Sequence, residues 1–110
     1  MDLEIINATI AAGQTVSAPV GIGFKVIVGF AMPPVWASGA LTFRVSHDGV
    51  SFLPFVDMSN AAITIPTPAA GTFININPTM FAGVNELALV CASTPVANAT
   101  VGIAIRGVAF

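Results

Sequence analysis

Apolar and polar residues alternate with a period of two along most of this chain, and turn-forming residues interrupt the alternation before any stretch reaches helical length. The alternating stretches are Leu3–Ile10, Gln14–Ala18, Phe24–Ala31, Ala40–Ser46, Ser51–Asp57, Ala62–Ile65, Thr72–Ile76, Glu86–Ser93 and Thr100–Val108. Between them stand Ala12-Gly13, Pro33-Pro34, Asp48-Gly49, Pro66-Thr67-Pro68, Ala70-Gly71, Asn77-Pro78 and Ser93-Thr94-Pro95. Spacings of three and four, which would mark helices, are not sustained anywhere, so the crossover connections of a parallel sheet are not expected. Eight or nine short strands at this spacing predict an all-β, antiparallel sandwich or barrel. A chain of 110 residues fits one domain, spanning 1–110, and buries roughly two-thirds of its unfolded surface without a disulfide or a metal.

The alternation is less complete than a sheet facing water requires. In Phe24–Ala31, one face carries Phe24, Val26, Val28 and Phe30, and the other has Lys25 as its only charge beside Ile27, Gly29 and Ala31. The last strand repeats this, with Val101, Ile103 and Ile105 opposite Gly102, Ala104, Arg106, Val108 and Phe110. Strands apolar on both faces are covered on both faces, and the expected second cover is another chain. Composition points the same way: three Lys or Arg and five Asp or Glu make 7% charged residues, against about 25% in an ordinary soluble domain. Mean hydropathy is correspondingly high, at +0.92.

A membrane could provide such a cover, since residues 44 and 86 bound two uncharged runs, Val26–Phe43 and Leu87–Ile105. Gly29, Pro33, Pro34, Ser38 and Gly39 break the first, and Ser93, Thr94, Pro95, Asn98 and Thr100 break the second, so neither reads as a spanning helix. At the N-terminus, Asp2 and Glu4 stand where a secretory signal has basic residues and an unbroken apolar run, so synthesis in the cytoplasm without export is expected. With net charge -2 and three basic residues, the chain lacks the positive patch that phosphate backbones need, and no nucleic acid is expected as a partner. Cys91 falls on the Leu87, Leu89, Cys91 face and reads as a small buried hydrophobe. The Asn-x-Thr triplets at Asn7 and Asn98 read as chance.

The chain's scarce polar chemistry gathers in one place, Leu41–Asp57, LTFRVSHDGVSFLPFVD. Leu41, Phe43 and Val45 share one face and Thr42, Arg44 and Ser46 the other, and Asp48-Gly49 supplies the backbone freedom for a tight turn. Pro54 restricts the return strand to an edge or a bulge. Ser46, His47 and Asp48 carry the residue types of a hydrolase triad, yet consecutive residues at a strand end project in different directions and form no relay. Ser46, His47, Asp48 and Gly49 therefore read as a hairpin turn, with His47 solvated, Asp48 bonded to turn amides and Arg44 available to a carboxylate. The sequence holds no phosphate loop, nucleophile elbow or metal-ligand spacing, so no catalytic residue, metal or cofactor is expected.

This hairpin, with Trp36 just before it, resembles one that recurs in small structural proteins of tailed bacteriophages and prophages, of the form L-T-F-x-x-S-x-D-G-x-x-F-x-x-x-x-D. PPVWASGALTF, TIPTPAAGTFININP and FAGVNELALV extend the likeness more loosely, and discoidin-like jelly rolls carry a related S-x-D-G hairpin. The resemblance implies a jelly-roll-like sandwich of about eight strands and a place on the virion surface as a capsid cement or decoration protein. Its implied partner is the major capsid protein, with self-association as a dimer or trimer. Candidate contact residues are Met32, Pro33, Pro34 and Trp36 in a proline-stiffened loop, Phe55 near an edge, and Val108 and Phe110 at the C-terminus. The other roles compatible with such a sandwich are a carbohydrate-binding module for host attachment, for which Trp36 is the one obvious aromatic, and a head–tail adaptor or tail component.

Overall fold

The computed structural model describes residues 3–23, 25–82 and 84–107. Eight strands are present: β1 (Leu3–Ile10), β2 (Val20–Gly21), β3 (Lys25–Ala31), β4 (Leu41–Ser46), β5 (Leu53–Pro54), β6 (Phe73–Asn75), β7 (Glu86–Cys91) and β8 (Ala99–Gly107). They form two four-stranded antiparallel sheets, ordered β1-β8-β3-β6 and β2-β7-β4-β5. The pairings β1 with β8, β2 with β7, β3 with β6 and β4 with β5 are those of one long hairpin folded double at its tip. Rolling that hairpin brings β3 beside β8 and β4 beside β7, which gives an eight-stranded jelly roll. The tip is Asp48-Gly49, so the polar hairpin of the sequence is the turn at which the roll begins. No helix among the described residues is long and apolar enough to cross a membrane.

The core lies between the sheets. One wall comes from Ala8 and Ile10, Val101, Ile103 and Ile105, and Ile27 and Phe30; the other comes from Leu41, Phe43, Leu87, Leu89 and Cys91. Four rings fill the middle: Phe43 lies 5.4 Å from Phe30 and 5.1 Å from Phe81, and Phe55 lies 5.2 Å from Phe81. Each buried ring contributes roughly 1.5–3 kcal/mol through removal from water, and the edge-on and offset contacts add to that. Cys91 is buried as expected, and burial pushes its thiol pKa up.

Three features depart from the sequence reading. Phe81 enters the core from a short 3-10 turn, Pro78–Phe81, capped by the Asn77 side chain, which accepts from the Thr79 amide at 3.1 Å; period-two alternation carries no signal for it. In β3, the strict alternation that grouped Val26, Val28 and Phe30 opposite Ile27 fails. A bulge lies between Ile27, opposite Ile105, and Gly29, opposite Ala104. The extra residue turns both Ile27 and Phe30 inward, with 1% and 0% exposure, and leaves Val28 and Gly29 outward. Phe24 lies outside the described residues. The strands predicted over Gln14–Ala18 and Ala62–Ile65 shrink to isolated bridges at Val16, Ala62 and Ile65.

Candidate functional site

The hairpin tip is a closed hydrogen-bond network. Ser46, on the face of β4 opposite Leu41 and Phe43, is buried, and its hydroxyl is satisfied there: it donates to Asp48 Oδ1 at 3.0 Å and accepts from the Gly49 amide at 2.8 Å. Asp48 Oδ1 also accepts from the amides of Val50 and Ser51, each at 2.9 Å. Those two amides, followed by the Ser46 hydroxyl, lower the Asp48 pKa to about 2. Gly49 sits at φ +79°, a conformation that favours glycine. Asp57 staples the next turn in the same way, accepting from the Ser59 and Ala61 amides at 2.8 and 3.1 Å. The Oδ1 oxygen of each carboxylate and the serine hydroxyl are thus engaged within their own turns, and His47 stands exposed beside them. Arg44 is exposed on β4 and forms no ion pair among the described residues; the pair found there is Lys25 with Glu4. Nor do the described residues bring three metal-ligating side chains together.

At the opposite end, the loop after β3 lies beside the β7–β8 loop. Val35, Trp36, Ala37 and Ser38 face Thr94–Ala99 across a cleft of about 160 Å³. The Trp36 indole is half-buried against the core and donates to the Gly39 carbonyl at 2.9 Å. Val35 and Val96, which residue type alone did not single out, are the exposed tips of this cleft, at 78% and 101%. Of the candidate contact residues in this loop, Pro34 is exposed and Pro33 half-buried. Met32 is a correction: the strand geometry of Ala31 continues through it, its amide bonds the Thr72 carbonyl, and its side chain is 6% exposed in the core. Phe55 is likewise packed inward, against Phe81, rather than presented at an edge. Val108 and Phe110 lie outside the described residues.

The largest change from expectation concerns the outer face of the β1-β8-β3-β6 sheet. Gly102 and Ala104 are buried on that face, yet what covers Gly102, and Gly29 opposite Ala104, is this chain itself. A methyl group on Gly102 would lie 2.9 Å from the Ile5 side chain, and one on Gly29 would lie 2.5 Å from the Phe73 ring. Edge-strand side chains lean inward over a glycine floor, so part of the cover assigned to a second chain is intramolecular. What remains outside is the backs of those side chains: Leu3, Ile5 and Phe73 are 48%, 49% and 52% exposed. Beside them, Leu3, Val28, Phe73, Ile76, Pro78 and Arg106 border a depression of about 300 Å³. The signal for this face was present in the Gly102-x-Ala104 spacing and in Leu3 and Ile5; Phe73 carried none.

No family model, curated protein or solved structure matches this chain.

Proposed function

We propose that the chain is a non-enzymatic structural protein of a tailed-phage virion, a decoration protein that grips the major capsid protein through apolar surface. The observation that carries this reading is the outer face of the β1-β8-β3-β6 sheet, where half-exposed Leu3, Ile5 and Phe73 surround a glycine and alanine floor. With 7% charged residues and a net charge of -2, the chain carries little charge for electrostatic steering; burial has to supply the affinity. A contact that removes about 1,200–2,000 Å² from water, at roughly 25 cal/mol per Å² of its apolar part, offsets the cost of association. Repetition over a shell adds avidity. The resemblance of the hairpin to phage structural proteins supplies the partner. Glycan binding is the weaker alternative, because the Trp36 N–H is committed to Gly39 and its ring to the core.

Cosedimentation with shells of the coat protein encoded nearest to this gene tests the proposal. The expected outcome is saturable binding in copy numbers comparable to the coat protein, lost in a folded Phe73→Asp variant. Absence of binding, or a copy number fixed at a connector ring, sinks it. Trp36→Ala resolves the loop's part, since undiminished binding by that variant removes Trp36 from the contact surface.

A further inference from the structure

A jelly roll has four sheet edges, and three of them here are protected. β2 and β5 are two residues long, with Pro19 before one and Pro54 within the other, and β6 is three residues long, ending near Pro78. The fourth, β1, is eight residues with no proline, no lysine and no bulge, and it pairs in unbroken register with β8 from Leu3–Arg106 to Ile10–Ala99. Among the described residues, no backbone group outside β8 bonds to residues 3–10. Alternate amides and carbonyls along about 26 Å of backbone therefore face outward in a row. Such a row is chemically specific: its complement is another extended strand.

We propose that the open edge of β1 binds the same edge of a second copy of this chain, antiparallel, joining two four-stranded sheets into one of eight. Self-pairing is favoured because an antiparallel strand pair has two-fold symmetry, so one sequence satisfies both sides. A two-fold axis at Ile6 sets seven residues against seven and places each half-buried Ile6 against its counterpart on the inner side. It sets Ile5 beside Asn7 and Leu3 beside Thr9 on the outer side. The two Glu4 carboxylates then lie about 13 Å apart along the strands, beyond a physiological screening length. This pairing uses the edge rather than the outer face, so it stands whether or not the protein decorates a shell.

Adjacent residues of a strand point their N–H groups to opposite edges, so Asn7→Pro and Ala8→Pro form a matched test. One removes a bond to β8 and loses the fold; the other removes an outward N–H and keeps it. Sedimentation equilibrium of the wild type is expected to give twice the 11.2 kDa chain mass, and the folded proline variant the chain mass alone. Hydrogen exchange should slow at every β1 amide of the dimer. Ile5→Lys, which leaves every backbone group in place, serves if neither proline variant folds; it should weaken the dimer by about tenfold. A wild type that stays monomeric with alternate β1 amides exchanging freely overturns the proposal. So does a dimer that survives in the folded proline variant or is unchanged by Ile5→Lys, or β1 protection that requires a different protein.

Discussion

The two flanks of the β1-β8-β3-β6 sheet solve one problem in different ways. On one side, β1 lies along β8 through eight consecutive residue pairs; on the other, β6 meets β3 through three, next to a bulge. Each flank sends a side chain back over a glycine, Ile5 over Gly102 and Phe73 over Gly29. The contacts differ in kind. A methyl on Gly29 would meet not only the Phe73 ring but also the Ile74 carbonyl at 2.7 Å, whereas one on Gly102 would meet the Ile5 Cγ2 methyl branch and, at 3.2 Å, the Ala31 methyl. The short flank is held by interlock with backbone, and the long flank by the number of its hydrogen bonds.

Alanine substitution at the two glycines separates these modes. Gly29→Ala should cost about 2–3 kcal/mol, because the Ile74 carbonyl cannot withdraw without loosening β6 from β3, and an overpacked site with a rigid neighbour has no cheap relaxation. Urea denaturation measures it, and a cost near zero would mean that β6 is not locked as described. Gly102→Ala should come out near neutral. Ile5 can swing outward into solvent, limiting the strain to about 1 kcal/mol, and replacing glycine lowers unfolded-chain entropy enough to return about 0.4–1 kcal/mol. Equal losses at the two sites would erase the distinction between the flanks.

The same contrast explains what could be read from the sequence. The fold class was legible because alternation and turn residues are local, and β1, β4, β7 and β8 fall within a residue or two of their expected limits. The inward face of β7 was legible for the same reason. The β3 bulge was not: it is imposed by pairing with β8, and alternation counted within one strand cannot register an extra residue opposite another. Phe81 was missed because one turn of 3-10 helix leaves no period to detect. The burial of Gly102 was expected, but its cause was misplaced. A small residue in a strand reports only that something lies close; whether that is Ile5 of this chain or a second molecule depends on which strand lies alongside. At the candidate site, residue type favoured Met32 and Phe55, which the core claims, over Val35, Phe73 and Val96, which it leaves outside.

Another short edge, β5, lies in the other sheet. Two residues pair it with β4 and the Phe55 amide bonds the Phe43 carbonyl just beyond them; the Asp48 turn closes its other end. The amides of Ser51 and Val50, then the Ser46 hydroxyl, stabilise the carboxylate and lower its pKa from 3.8 to about 2. A depressed folded-state pKa means that the unfolded chain takes up the proton first as the pH falls. The stabilising contribution is thus complete above about pH 4 and is lost as the pH falls towards 2. Asp48→Asn keeps an acceptor oxygen for the turn amides but removes the charge and the titration. The Tm difference between wild type and Asp48→Asn should stay constant above about pH 4 and shrink between pH 4 and 2. Hydrogen exchange at low pH should then show the turn amides of residues 49–51 opening before those β1 amides that bond to β8. If both open together, β5 and β1 belong to one cooperative unit, and the separation of long and short edges holds for packing but not for acid stability.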